Sequence, residues 1–229
     1  QNFGDVLTPV VLNHFGIEHC YVEDVKYADA LCIGSIARLA LPGHKVFGSG
    51  RIRENEKADP KVDWKFVRGP LTRENVLKHG GECPEIYGDP ALLLPDFHKK
   101  PLRPSFQIGI VPHYQDLNYV RKQYPVLPTI DVVSKNALKV ATEIANCRKI
   151  ISSSLHGIIV AHAYGIPAAW VEFSKLHGDG TKFKDYFESV GIHNPVKSTV
   201  RNPVYMDPGK IDLDPIREIF HRESISVHS

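Results

Sequence analysis

Short apolar runs alternate with amphipathic stretches along the whole chain, which is the pattern of an α/β protein. In the first half, two strand-like runs end in small residues, ADALCIGS at 28–35 and HKVFGSG at 44–50, and a third, KFVRG at 65–69, ends at Arg68. Strands that end in small-residue loops are typical of the carboxyl edge of a parallel sheet, where open α/β proteins bind ligands.

Helix start and stop signals separate these runs. Residues 6–16 read as a helix with Thr8 as N-cap, Pro9 at the first helical position and Gly16 as the stop. Residues 70–81 read as a second helix, which Thr72 caps and the glycine pair at 80–81 ends.

The second half repeats the alternation. Strands are predicted at 106–114, 126–132, 150–154 and 168–173, and helices at 136–150, 182–192 and 212–224. Between the halves, FHKKPLRP at 97–104 is polar, basic and twice broken by proline, which is typical of a linker. The sequence therefore predicts one domain over residues 1–97, whose first strand is missing upstream of Gln1, and another over 105–229.

Composition narrows the classes of function. Hydrophobic residues make up 42% of the 229 residues, and charged residues 24%, as in ordinary globular proteins. The formal net charge is +2 without a basic block, which argues against nucleic acid as a partner. No apolar run reaches the length of about 18 to 20 residues that spans a bilayer. The four cysteines are far apart, as expected of buried thiols in a reducing, cytoplasmic compartment.

The segment KIISSSLHGIIVAHAYGIP at 149–167 places a histidine at a strand-to-helix junction. With Ser153 or Ser154 as N-cap, and Gly165 ending the helix, His156 lies in the first turn, beside backbone N–H groups that have no partner within the helix. Such a helix start attracts anions, and a histidine beside a bound anion can exchange a proton near neutral pH. The alternative is a polar histidine that only bonds a backbone carbonyl.

Six phrases, in order along the chain, resemble the polysaccharide pyruvyl transferase family. They are NFGDVLTP at 2–9, VFGSG at 46–50, VRGPLTRE at 67–74, YGDPALLLP at 87–95, SSSLHGIIVAHAYGIPAAW at 152–170 and FKDYFESVGI at 183–192. The resemblance implies an α/β fold of two Rossmann-like domains facing across a cleft, as in B-type glycosyltransferases. It implies a transferase that moves the enolpyruvyl group of phosphoenolpyruvate onto sugar hydroxyls of an exopolysaccharide, capsular or cell-wall glycan precursor, forming a ketal and releasing phosphate.

The resemblance also implies the partners. No metal or organic cofactor is expected, since phosphoenolpyruvate is itself the donor substrate. A lipid-linked acceptor would bring the protein to the inner face of the cytoplasmic membrane. Two other functions stay open: a nucleotide-sugar glycosyltransferase of the same architecture, for which Glu172 is the candidate ribose ligand, and an inactive glycan-binding relative.

The family motifs assign roles to individual residues. His156, in the Leu-His-Gly motif, is the expected general acid, and His113, directly after the strand residues IGIVP at 108–112, is a second acid/base candidate. Arg68 matches the family's arginine and would clamp phosphate or carboxylate bidentately. Its alternative is an arginine that pairs with a neighbouring acid, and the alternative for His113 is a histidine that faces solvent.

Other candidates surround these three. On the acceptor side, Gly48 would shape a pocket and Arg51 would reach an anionic sugar or lipid diphosphate, although both residues also fit a tight turn. The residues Asn2, Gly4 and Asp5 match the family's Asn-x-Gly-Asp loop, with capping of the first helix as the alternative role of Asp5. Ser153, Ser154 and Leu155 flank the histidine motif as candidate substrate-binding residues.

One position departs from the family pattern. Better-described members carry arginine immediately before Leu-His, where this chain has Ser154. A serine hydroxyl can bind phosphate but supplies no positive charge. Another residue is therefore expected to supply this positive charge, and the candidates are Arg68, Arg38, Arg51 and Lys175.

Overall fold

A computed structural model of the protein describes residues 3–174, 178–209 and 211–226. The chain divides into two compact units. We name them the three-stranded unit (Thr8–Pro90, Gly178–His193 and Lys210–Ser229) and the five-stranded unit (Gln1–Leu7, Ala91–His177 and Asn194–Gly209). The units interleave along the chain, whereas the sequence favoured consecutive domains at 1–97 and 105–229. The segment 97–104, predicted as a linker, belongs to the five-stranded unit.

The three-stranded unit is built on a parallel sheet in the order β1-β2-β3. The strands are β1 (Ala30–Leu31), β2 (Lys45–Phe47) and β3 (Asp63–Phe66). The helices of this unit are α2 (Pro70–Lys78), α7 (Thr181–Ser189), α8 (Asp214–Ser226) and most of α1 (Phe3–His14). Phe220 of α8 stacks on Phe15 and Phe47, with ring centroids 5.0 and 5.7 Å away, which buries α8 against the core.

The five-stranded unit contains a parallel sheet in the order β4-β5-β6-β7, and β8 pairs antiparallel with β6. The strands are β4 (Gly109–Val111), β5 (Ile150–Ser152), β6 (Ala168–Val171), β7 (Lys197–Ser198) and β8 (Tyr205–Met206). The helices are α3 (Leu94–Phe97), α4 (Leu117–Gln123), α5 (Ala137–Ala145) and α6 (Leu155–Ala163). Parallel sheets with helical connections confirm the α/β class, while the two-domain arrangement across a cleft stays a prediction.

Four glycines end helices, three of them at stops that the sequence predicts and the fourth, Gly191, at a position where no stop was predicted. They are Gly16, Gly80, Gly165 and Gly191, all with φ between 67° and 82°. In each case the residue after the glycine donates its N–H to the backbone carbonyl five residues earlier; for example, Ile166 donates to Ala161 O at 2.9 Å. This left-handed closure satisfies carbonyls at the helix end that have no partner within the helix, and glycine adopts it without steric penalty.

The structure corrects three of the expected elements. Helix α1 begins at Phe3 and contains Pro9, so Thr8 is not its N-cap. Helix α2 has Gly69 as N-cap and Pro70 as its first residue. Thr72 therefore lies inside the helix, and its hydroxyl donates to Asp185 and does not cap the helix. At 126–132, where a strand was expected, only Thr129 pairs with Ile110 of β4. The N–H of Ile110 donates to Pro128 O and the N–H of Ile130 donates to Ile110 O, and the pairing does not continue beyond these two bonds.

The central elements of the five-stranded unit are buried on all sides and mostly apolar. Strands β4, β5 and β6 are fully buried, and so are residues 155–162 of α6. A helix that is apolar on all sides is typical of a core position. Among the described residues, no helix has both the length and the hydropathy needed to cross a membrane.

Candidate active site

The junction between β5 and α6 carries the histidine motif. Strand β5 ends at Ser152 and helix α6 begins at Leu155, so only two residues connect them. Ser154 is the N-cap, with extended backbone angles, and its side chain makes no capping hydrogen bond. The sequence predicted this junction, and the hydroxyl of Ser154 leaves the first N–H groups of α6 without a side-chain cap.

Ser152 and Ser153, which precede the N-cap, hydrogen-bond to β4 and to the loop that follows it. Ser152 Oγ lies 2.7 Å from Val111 O and accepts the N–H of Ser154 at 3.0 Å. Ser153 Oγ accepts the N–H of His113 at 2.8 Å and donates to Asp116 Oδ2 at 3.3 Å. Both hydroxyls are therefore engaged in positioning backbone, and Ser153 acts here through His113 and Asp116.

His156 lies in the first turn of α6 and is 7% exposed. Its imidazole packs against the backbone of Gly4 in the first turn of α1. A methyl group at Gly4 would lie 2.6 Å from Nδ1 and 2.9 Å from Nε2 of this ring, which is too close. The structure therefore brings together the motif at 2–9 and the histidine motif at 152–170, which were singled out separately.

The other residues of the amino-terminal motif lie differently. Gly4 and Asp5 belong to the first turn of α1 and not to a loop, and Asp5 is exposed. Asn2 lies outside the described residues. Leu155 is 5% exposed and contributes to the core, while His113 is half-buried beside Tyr114.

For the donor chemistry that the family resemblance implies, we expect Gly4→Ala to lower the rate of phosphate release from phosphoenolpyruvate roughly 10- to 100-fold, since a ring displaced by about 1 Å loses its alignment with a reacting group. The rate is compared with that of Asn13→Ala, an exposed change on the same helix. Thermal unfolding of both variants checks the fold. An unchanged rate for Gly4→Ala would mean that the packing of Gly4 on His156 has no part in positioning the ring.

The second histidine of α6 is a core residue. His162 is 3% exposed, and its Nε2 lies 3.0 Å from Met206 O. Burial lowers the pKa of His162 to about 4, so the ring stays neutral near pH 7.

Glu172, the candidate ribose ligand of the glycosyltransferase alternative, follows β6 and forms an ion pair with Lys197 at 2.8 Å.

In the three-stranded unit, Arg68 is fully buried in a hydrogen-bonded cluster. Its Nε and one terminal nitrogen lie 3.2 and 3.1 Å from Asp185 Oδ2, and the other terminal nitrogen donates to Ser35 Oγ at 2.6 Å. The carbonyl of Arg51 accepts a further bond at 2.7 Å. These contacts match the alternative of an acid-paired arginine, although the pair is buried and not at the surface. Substrate binding by Arg68 stays a prediction.

Asp185 is the partner that sequence reasoning missed. Its Oδ1 accepts the N–H of Thr72 at 2.9 Å, and its Oδ2 accepts the Thr72 hydroxyl at 2.7 Å. The Thr72 hydroxyl also accepts the N–H of Arg51 at 3.0 Å. A methyl group at Gly69 would overlap the carbonyl of Asp185, so α7 packs closely on the start of α2. The phrase FKDYFESVGI contains Asp185, but nothing in its spacing indicates Arg68 as the partner.

The glycine loop after β2 is tightly packed. Gly48 has φ +75°, and a methyl group there would lie 2.7 Å from the Phe66 ring and 2.9 Å from Gly88 O. Ser49 Oγ donates to Gly34 O at 3.0 Å, which ties the loops after β1 and β2 together. Arg51 is half-buried and donates to Glu54 O at 3.2 Å. Gly48 therefore serves the tight turn that the sequence allowed as its alternative role.

The comparison with known families decides which family the chain belongs to. The sequence model of the family described as Polysaccharide pyruvyl transferase matches residues 56–174, which is more than half of the chain. The chain belongs to the polysaccharide pyruvyl transferase family. The matched segment includes Arg68, His113 and His156, while Gly4 and Asp185 lie outside it.

Two curated proteins are similar to this family member. An uncharacterized protein of Acanthamoeba polyphaga mimivirus is 33% identical over 170 residues, covering 70% of this chain and 59% of that protein. Succinoglycan biosynthesis protein ExoV of Rhizobium meliloti (strain 1021) is 29% identical over 212 residues, covering 83% of this chain and 62% of that protein. The chain thus spans about six tenths of the length of these relatives, and no solved structure matches it significantly.

Proposed function

We propose that this chain carries the donor site of a ketal pyruvyltransferase that uses phosphoenolpyruvate. The observation that carries the proposal is the position of His156 in the first turn of α6, at the carboxyl edge of a parallel sheet and inside the segment that matches the family. Open α/β proteins bind ligands at this edge, and helix starts bind anions. Phosphoenolpyruvate is doubly anionic, through its phosphate and its carboxylate.

The chemistry requires a proton donor at one carbon. Protonation of the methylene carbon C3 by His156 would make C2 electrophilic, and a sugar hydroxyl would then form a bond to C2. A second hydroxyl would complete the ketal as the bond from C2 to the phosphate oxygen breaks. One hydroxyl proton replaces the proton that His156 gave, and the other leaves with phosphate, so the atoms balance. His113 is the candidate base for a hydroxyl.

The acceptor in this proposal is a sugar of an exopolysaccharide, capsular or cell-wall glycan precursor. The family description and the succinoglycan biosynthesis protein support a polysaccharide acceptor. A lipid-linked precursor would bring the enzyme to the inner face of the cytoplasmic membrane.

Calorimetric titration with phosphoenolpyruvate, beside a uridine diphosphate control, tests the donor. We expect saturable binding of phosphoenolpyruvate with a dissociation constant between about 1 μM and 1 mM, and no binding of the nucleotide. Binding of the nucleotide alone would favour the glycosyltransferase function. If neither ligand binds, the proposal fails and the inactive, glycan-binding alternative gains support.

A further inference from the structure

Lys182 is a buried lysine without a counter-charge. It lies in the first turn of α7, in the three-stranded unit, and is 8% exposed. Within the described part of the chain it makes no hydrogen bond and no ion pair, and its ammonium lies 5.4 Å from the centroid of the Phe183 ring. Lysines this deeply buried are rare unless a counter-charge accompanies them, because burial disfavours the charged form.

The neighbouring charges leave this ammonium uncompensated. Burial and then the positive charge of Arg68 lower the pKa of Lys182 to about 8. Asp185, on the same helix, is already occupied, because both of its oxygens accept hydrogen bonds from Arg68 or Thr72. Both Asp185 oxygens are therefore engaged with Arg68 and Thr72, and among the described residues neither forms an ion pair with Lys182.

The start of α7 adds partial charge of the same sign. The helix has nine residues, and its N-cap, Gly180, has φ +89° and offers no side chain to cap it. The preceding residue, Asp179, accepts the N–H of Thr181 at 3.0 Å and the N–H of Glu54 at 2.9 Å. This exposed carboxylate holds the loop at Glu54 and makes no ion pair with Lys182 among the described residues. Peptide dipoles at a helix start favour a bound anion.

Arg51 contributes a second unsatisfied donor to the same cluster. Its Nε is buried and has no hydrogen-bond partner among the described residues. Its backbone is fixed, because its carbonyl accepts from Arg68 and its N–H donates to Thr72. A lysine and an arginine, both with unused donors and both attached to a rigid cluster, are the groups that proteins use to bind phosphoryl oxygens.

We propose that Lys182 and the first turn of α7, with Arg51 beside them in the cluster, form an anion site that takes a phosphoryl group. The choice of ligand rests on the proposed function, which offers two sources of this chemistry. They are the phosphate of phosphoenolpyruvate and the diphosphate of a lipid-linked acceptor.

Binding of inorganic phosphate, phosphoenolpyruvate and pyrophosphate to the whole chain, measured by calorimetry, tests the site. We expect Lys182→Gln to weaken binding of phosphate roughly 10- to 100-fold, which corresponds to the loss of a charge-assisted hydrogen bond. The matched control is Lys184→Gln, since Lys184 is exposed on the same helix two residues later. The control variant is expected to bind phosphate as the wild type does.

Thermal unfolding separates binding from stability. Without phosphate, the Tm of Lys182→Gln is expected to equal or exceed that of the wild type, because the change removes an uncompensated buried charge. With phosphate, the wild type should gain stability and Lys182→Gln should gain much less. A variant that loses Tm and still binds phosphate normally would overturn the proposal and assign Lys182 a packing role.

The three ligands separate this inference from the proposed function. If phosphate or pyrophosphate binds through Lys182 and phosphoenolpyruvate does not bind, the anion site stands and the donor assignment fails. If phosphoenolpyruvate binds equally well to the wild type and to Lys182→Gln, the donor assignment stands and the anion site fails. Stronger binding of pyrophosphate than of phosphoenolpyruvate, lost in Lys182→Gln, assigns the site to the acceptor diphosphate.

Discussion

Arg68→Ala is expected to lower the free energy of unfolding by about 3–5 kcal/mol, a large share of the stability of a typical domain. The physical reason is that Asp185 would stay fully buried without the cation that accompanies it. The Ser35 hydroxyl and the Arg51 carbonyl would lose their partner as well. Urea unfolding followed by circular dichroism measures the loss.

Two further variants test this explanation. Arg53→Ala removes an exposed arginine from the same unit and is expected to change stability by less than about 0.5 kcal/mol. The double change Arg68→Met with Asp185→Leu should recover part of the loss, because it removes the unpaired buried charge, although the Thr72 N–H and the Arg51 carbonyl stay without their partners. If Arg68→Ala instead unfolds like the wild type and loses phosphoenolpyruvate binding, Arg68 contacts the donor as the family motif predicts.

His156→Gln is expected to lower the rate of phosphate release from phosphoenolpyruvate roughly 10²- to 10⁴-fold, the usual contribution of a general acid. The readout does not need the natural acceptor, because water can act as a slow acceptor and yields pyruvate and phosphate. Glutamine keeps most of the volume of the ring and a hydrogen-bonding end, so the packing against Gly4 is largely kept. An unchanged rate would remove His156 from the chemistry.

His162→Gln is the matched control for that experiment. Both histidines are buried in α6, but His162 lies two turns further along and bonds the carbonyl of Met206. We expect this control to lose stability and to keep its rate per folded molecule. A loss of rate as large as that of His156→Gln would show that disturbance of α6, and not loss of an acid, explains both results.

Burial changes which substitution is informative at position 156. From its position in the first helical turn alone, replacement of His156 by alanine would be expected to leave the fold intact. The structure buries the ring against Gly4, so alanine would leave a cavity in addition to removing the acid. Glutamine separates the two effects better, and it is therefore the variant whose rate we interpret.

Local signals determined much of the fold from the sequence. The helix stops at Gly16, Gly80 and Gly165, the short parallel strands and an N-cap at Ser153 or Ser154 were all predictable, because each depends on a few consecutive residues. The position of His156 in the first turn of α6 followed from the same signals. Where a local signal failed, as at Thr72, a distant partner took over the side chain.

The tertiary structure alone decided which distant residues meet. Arg68 and Asp185 are 117 positions apart, and no spacing in the sequence indicates that they pair. The same holds for the contact of Gly4 with His156 and for the burial of Lys182 in the amphipathic helix α7. Periodicity and capping act within a few residues, whereas ion pairs and close packing depend on how the elements assemble. The sequence by itself therefore determined most of the elements and the family motifs, and the assembled fold determined the partners of the charged side chains.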